Sequence, residues 1–239
     1  MEPVQNKYSY SETTAIGNRR KSNHQRNLFN YFLPELADGS TVVEIGSGRG
    51  EFAMEVRSRG LHYLGIEPSS DLCAGLRERG FEVINEVVPP MPLEDQTVGL
   101  VHSHDFVEHL VDYREVMHFF IDSYRVLKHG GFISVLAPNY DTIKQLFFQY
   151  DYQHSFIVTK NRIEHMLRDS GFVVKASRCY LMSLSPRLKA VDRTVAHTAL
   201  PILVNSFSQA LMRLVATEEF AFRVNKNLFD HVAVLGMKP

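Results

Sequence analysis

The sequence predicts an α/β domain built on a mostly parallel sheet with helices on both faces. Three observations predict it. Short apolar runs alternate with amphipathic stretches from about residue 40 to residue 170. The runs are apolar on both strand faces, as buried parallel strands are. A glycine-rich turn joins the first strand to the helix after it, where backbone must approach a ligand closely.

In chain order, residues 1–20 are polar and stand apart from the core. A helix is expected from Asn18 to Leu36, with Leu28, Phe29 and Phe32 as its apolar stripe and Arg19, Arg20, Lys21 and Arg26 opposite. Strands are expected at Thr41–Ile45, Tyr63–Glu67, Phe81–Asn85, Val98–Ser103 and Gly131–Ala137. Helices fall between them at Glu51–Arg59, Asp71–Arg79 and Tyr113–Lys128. Thr159 reads as the N-cap of a helix running to Asp169 and closed by Gly171. Phe172–Tyr180 and His231–Met237 complete seven strands and can pair antiparallel at the sheet edge. One domain is expected over 1–239: a helical cap segment at 1–37, a core at 38–180, an insertion at 181–229 and a last strand at 230–239.

Composition narrows the function. The 239 residues carry 26 Lys and Arg against 27 Asp and Glu, so no basic field argues for a nucleic-acid partner. Two cysteines, Cys73 and Cys179, cannot build a disulfide framework or a cysteine zinc site. The first twenty residues lack the apolar core of a signal peptide, and no apolar run reaches the ~20 residues a membrane span needs. A cytoplasmic protein is expected.

The densest signal is Val42-Val43-Glu44-Ile45-Gly46-Ser47-Gly48-Arg49-Gly50. Its Gly-x-Gly-x-Gly spacing differs from the Gly-x-Gly-x-x-Gly that cradles a pyrophosphate. Glu44, just before the turn, would repel a pyrophosphate but welcome an amino group. Glu67 follows about twenty residues on, at the end of the next strand, where an acid can accept hydrogen bonds from ribose hydroxyls.

On these residues the chain resembles the class I (Rossmann-like) S-adenosylmethionine (SAM)-dependent methyltransferases, from about Thr41 to Phe172. VVEIGSGRGEF and YLGIEPSSDL look like the first two family motifs. PPMPLEDQTVGLVHSHDFVEHL, SYRVLKHGGFISVLAPN and HSFIVTKNRIEHMLRDSGF resemble the later motifs of the small-molecule branch, which includes ubiquinone-type (type 11–12) enzymes. The resemblance implies a doubly wound, seven-stranded sheet with SAM bound across Glu44, Gly46, Ser47, Gly48 and Gly50. It implies Glu67, with Pro68 beside it, at the ribose. The family's adenine-site acid is missing, leaving Val87 in its place with Glu86 just upstream, so either Glu86 or a backbone carbonyl takes the adenine. Gly99 stands where many relatives carry Asp. His104 and Asp105, at the exit of the fourth strand, would face the methyl group or the cofactor's methionine.

Methyl transfer to a hydroxyl needs a positioned nucleophile and a base of near-neutral pKa. His154, in the loop after the fifth strand, is the first candidate base, and His104 the second. His109 beside Glu108 reads as a structural pair locking the loop after the fourth strand, and His102 as packing. His62, His118, His129, His165, His197 and His231 read as surface or helix positions. His102, His104, Asp105 and Glu108 are suitable metal donors, but strand alternation puts His102 and His104 on one face and turns Asp105 away, so no metal is expected there.

The acceptor is the open question. Leu181–Phe229 carries an amphipathic stretch at 199–215 behind Arg187, Lys189 and Arg193, and reads as a lid, a homodimer interface or, through 186–215, a membrane-surface contact. The aromatic stretch Asn139–Phe156 either stacks on an acceptor or packs under the next helix. A small-molecule or carbohydrate acceptor methylated on oxygen is expected, a sugar or polysaccharide hydroxyl ahead of a phenolic, quinone-type one. A catalytically silent SAM-binding scaffold is the alternative. A nicotinamide oxidoreductase fails on glycine spacing and on the lack of a Tyr-x-x-x-Lys pair.

Overall fold

The computed structural model describes residues 15–144, 147–148, 151–181 and 230–239, with side chains described from Asn23 onward. The chain runs α1 (Ala15–Tyr31), β1 (Thr41–Ile45), α2 (Glu51–Ser58), β2 (His62–Ile66), α3 (Ser70–Glu78), β3 (Glu82–Ile84) and β4 (Val98–His104). A 3-10 turn (Val107–His109) leads into α4 (Tyr113–Val126), β5 (Leu127–Pro138), the short α5 (Tyr140–Ile143), α6 (Lys160–Asp169), β6 (Val173–Leu181) and β7 (Asp230–Met237).

The seven strands lie in the order β3-β2-β1-β4-β5-β7-β6. The pairs among β1 to β5 are all parallel, while β7 runs antiparallel to both β5 and β6. The expected antiparallel pair therefore falls at the edge, with the reversed strand one place in. Strand order reverses between β1 and β4, the switch point where open α/β sheets bind ligands beyond their strands' C-terminal ends.

Strand alternation splits the apolar residues into two cores. Val42, Tyr63, Val83, Leu100 and Leu136 pack with Leu28 and Phe29 of α1, Phe52 and Val56 of α2 and Leu76 of α3. Val43, Ile45, Val101, Ile133 and Val135 pack with Phe119 and Phe120 of α4 and Ile163 and Leu167 of α6. Both layers are nearly closed to solvent, each large side chain contributing about 1.5–3 kcal/mol by its burial. Asp112 caps α4 by accepting from the Arg114 and Glu115 amides. Thr159 caps α6 through the Arg162 amide as expected, and Gly171, at φ 94°, follows its last turn.

Helix α1 begins at Ala15 rather than Asn18, α4 ends at Val126 rather than Lys128, and two other boundaries differ by four or five residues. Helix α1 stops at Tyr31 rather than Leu36, because Pro34 disfavours helical backbone at Leu33 and offers no amide to the ladder. Strand β5 begins at Leu127, four residues before Gly131. Leu127 already pairs with Val98, and a register shift before Leu100 absorbs the intervening residues. The insertion at 182–229, with Arg187, Lys189, Arg193 and His197, lies outside the described residues. No helix among the described residues is long and apolar enough to cross a membrane.

Candidate active site

The glycine turn sits at the C-terminal end of β1. Gly46 and Gly48 hold φ of 74° and 51°, and a Cβ on either would meet nothing within 4 Å. Left-handed backbone beside open space is a cradle that side chains would fill, and it leaves peptide groups bare for a ligand. Gly50, also left-handed, caps α2. Glu67 closes the far wall. Its carboxylate accepts from the Gly48 amide at 3.0 Å and from the Ser69 amide at 3.0 Å, tying the turn to the loop after β2. Burial raises its pKa, and the two amides work against that rise. Each carboxylate oxygen keeps a second lone pair, so ribose hydroxyls can be accepted alongside.

Glu44 faces away from solvent on the α2 side of the sheet. Tyr63 donates its hydroxyl to Glu44 Oε2 at 2.7 Å. Burial pushes the Glu44 carboxyl well above the usual range, opposed by that hydrogen bond. Ser47 is buried with its Oγ over Gly65, where a Cβ would stand 2.3 Å away. Pro68 is exposed, and its carbonyl and that of Glu67 both accept from Asn85 Nδ2 at 2.9 Å. Glu86 and Val87, at the same strand edge, are both exposed, Val87 by 69%.

A cluster of imidazoles lies at the end of β4. His231 Nε2 is 3.2 Å from Asp105 Oδ1, and His104 Nε2 is 3.7 Å from the same oxygen. The His104 ring lies 5.4 Å from that of His24 and 6.0 Å from that of His231. Tyr180 stacks on His24 at 5.8 Å and tilts against His231 at 5.9 Å. Burial would raise the Asp105 pKa, but the imidazoles of His104 and His231 outweigh it and hold the carboxylate below its ordinary range. Burial and the neighbouring imidazoles pull the His24 pKa down to about 3.

Two expectations need correction here. Asp105 does not turn away from His104: it takes the left-handed conformation, at φ 53°, which breaks strand alternation and returns its carboxylate to the imidazoles. His231 is no surface position but a buried residue of β7, and it reaches Asp105 because β7 inserts beside β5. His62, His118, His129 and His165 are exposed as expected. His102 is fully buried, stacked on Phe52 at 4.0 Å and 3.2 Å from Ser134 Oγ.

His154 stands with a different set. Its Nδ1 lies 2.7 Å from the Phe147 carbonyl, and its ring contacts those of Phe147 and His109 at 4.6 and 4.9 Å. The loop after β4 is locked through main chain: the Glu108 carbonyl accepts from the Ser155 and Phe156 amides at 2.8 and 3.1 Å. Of the aromatic stretch, Phe147 and Phe156 are core, whereas Phe148 and Tyr152 remain exposed.

The sequence reading missed His24 and Tyr180. His24 precedes Leu28 by four residues and so continues the α1 stripe, a signal visible in the sequence. Nothing in the sequence brings Tyr180 and His231 together except the antiparallel register in which they are partners.

The comparisons agree with this architecture. Residues 18–177 match the model of a methyltransferase domain family, and the chain belongs to that family. An uncharacterized protein of Mycobacterium tuberculosis is 30% identical over 162 residues, covering 65% of this chain and 54% of its own length. The chain thus spans about half the length of the curated relatives it matches. A SAM-dependent methyltransferase from Archaeoglobus fulgidus superposes with a TM-score of 0.63 at 20% identity, covering 91% of this chain and 94% of that one. Geranyl diphosphate C-methyltransferase from Streptomyces coelicolor, solved with Mg2+, geranyl diphosphate and S-adenosyl-L-homocysteine, gives 0.63 at 18% identity over 93% and 81%. The fold is that of the class I, Rossmann-like methyltransferases, as the motifs imply.

Proposed function

We propose that the protein is a SAM-dependent O-methyltransferase acting on a hydroxyl of a small molecule or a sugar, with His104 as the base. The Asp105 carboxylate held between two imidazoles at the strand ends carries the reading. Gly46, Ser47, Gly48 and Gly50 would hold the methionine end of the methyl donor, Glu67 its ribose, and Glu86 and Val87 its adenine. Bound there, it supplies an electrophilic methyl carbon on a sulfonium. The chain's own residues do the rest. His104 takes the proton of the acceptor hydroxyl as the oxygen–methyl bond forms and the carbon–sulfur bond breaks. Asp105 stabilises the resulting imidazolium, and His231 holds Asp105 in place. His24 stays neutral, so it adds no charge opposing the protonation of His104. Exposed Phe148 and Tyr152 offer stacking faces to a sugar or planar ring.

The test is calorimetric titration with S-adenosylhomocysteine and, separately, NADH, repeated on Glu67→Ala. Transfer of radiolabelled methyl groups to hydroxylated sugars and phenols follows. Binding of S-adenosylhomocysteine alone, weakened in the variant, with label on oxygen, is the expected result. A folded protein that ignores S-adenosylhomocysteine, or label found on nitrogen or carbon, sinks the reading.

A further inference from the structure

Beside the His104 cluster, a second set of donors converges where the 3-10 turn meets the loop before α6. We infer that Glu108, His109 and His154 form a binding site for a first-row divalent cation of the zinc class. One carboxylate and two imidazoles are the protein ligands, and water completes the shell. The inference concerns binding alone and stands apart from the methyl-transfer reading.

Glu108 is the strongest argument. Its side chain is 0% exposed, and neither carboxylate oxygen finds a hydrogen-bond partner on any other described residue. Buried carboxyls are ordinarily bonded, so one left bare calls for a proton or a cation. The geometry supplies the other donors. One ligand atom from each of Glu108, His109 and His154 lies within 4.8 Å of the other two. Ligation at about 2.0–2.2 Å draws such atoms to about 3–3.5 Å of one another, a closure within reach of side-chain torsions. The Ser155 and Phe156 amides pin the His154 loop to the Glu108 carbonyl, so the frame is already assembled.

The surroundings suit a metal as well. A carbonyl only accepts, so His154 Nδ1 donates to the Phe147 carbonyl and leaves Nε2 with its lone pair. The His109 ring hydrogen-bonds the backbone of Gln153. Imidazoles oriented by backbone carbonyls are the usual outer shell of metal-ligating histidines. Burial lowers the pKa of both histidines, which favours the neutral, ligating form, and Asp105 and Asp151 add negative charge nearby. A carboxylate with two imidazoles and open positions fits zinc, cobalt, iron or manganese better than calcium. The His104, Asp105 and His231 donors also lie within 4.8 Å of one another, but there the hydrogen bond from His231 already explains the carboxylate.

The test uses the full chain, tag removed and stripped with EDTA, titrated with Co2+ and with Zn2+. Expected are one equivalent of bound cobalt with visible d–d bands and a rise in melting temperature on metal addition. Glu108→Gln and His154→Gln should each weaken binding at least about 10- to 100-fold while keeping the S-adenosylhomocysteine affinity of the wild type. Glu108→Gln mimics the protonated acid, so a variant as metal-responsive as wild type would overturn the site. So would a wild-type protein that binds no cobalt at ~100-fold the concentrations usual for such sites. Should Glu108→Gln fail to fold, His154→Gln, which alters a partly exposed loop residue, decides alone.

Discussion

Tyr63 on β2 donates its hydroxyl to Glu44 on the neighbouring β1, and the pair is sealed beneath the glycine turn. The register sets this up. Glu44 is the partner of Gly65, two residues beyond Tyr63, so the phenol reaches diagonally across a residue with no side chain to block it. The acid at the head of the family's first motif is therefore held by protein before any cofactor arrives.

Tyr63→Phe removes the phenol that donates to buried Glu44 while keeping the ring's edge contact with Phe81. A loss of about 1–3 kcal/mol is expected, read as a lower thermal midpoint. The sign of its pH dependence follows from the raised carboxyl. A group whose folded pKa lies above its unfolded value takes up a proton on folding, so its stabilising share is lost as pH rises through the folded pKa. Removing the phenol raises that pKa further, so the loss should be larger at pH 8 than at pH 6. An equal loss at both would assign the phenol a packing role only.

Gly65→Ala places a Cβ 2.3 Å from Ser47 Oγ and 2.9 Å from the Tyr63 hydroxyl. Something must shift, and both neighbours support the cofactor turn. Affinity for S-adenosylhomocysteine should fall tenfold or more, about 1.4 kcal/mol, with the far-ultraviolet spectrum unchanged. Affinity equal to wild type would mean that Ser47 can swing clear at no cost.

Asp105→Asn is nearly isosteric, and Asn tolerates the left-handed backbone of this position. Once an acceptor is in hand, turnover should fall on the order of 10²-fold, the low end of what a general base contributes. S-adenosylhomocysteine affinity should hold. His104→Gln should fall at least as far. Unchanged turnover in both variants would remove the proposed base.

His102 is fully buried, and desolvation keeps its pKa well below the ordinary value. The unfolded chain therefore binds a proton near pH 6.5 that the folded chain refuses. Its neutral ring stabilises the fold fully above that pH, and stability drops as pH falls below it by up to about 1.4 kcal/mol per unit. Comparing wild type with His102→Asn by denaturant unfolding at pH 8 and pH 5.5 isolates this residue from the buried acids. A smaller acid-side loss in the variant is expected; parallel behaviour would show that His102 is protonated in the fold.

Much of the fold was legible because it follows period and punctuation. The inner strand runs are apolar on both sides and Gly60, Gly80 and Gly171 follow the ends of α2, α3 and α6, so β1 falls where expected and five other strands shift by a single residue at one or both ends. The meeting of Glu67 with the glycine turn was legible for the same reason, since one βαβ unit carries both. The histidine cluster was not. Asp105 joins it through one residue of left-handed backbone, and His231 through a strand insertion, neither of which leaves a trace in local periodicity. His154 was legible as a histidine in the right loop, but its company of Glu108 and His109 comes from tertiary packing.

Strand β7 lies between β5 and β6 although it follows both in the chain. Among the described residues β6 pairs only with β7, so as the polypeptide leaves the ribosome that pairing waits until residues 230–237 have been made. The glycine turn and Glu67 are translated more than 150 residues before His231. The contact between Glu67 and the glycine turn can therefore form early, whereas His231 meets Asp105 only when the final strand slides home.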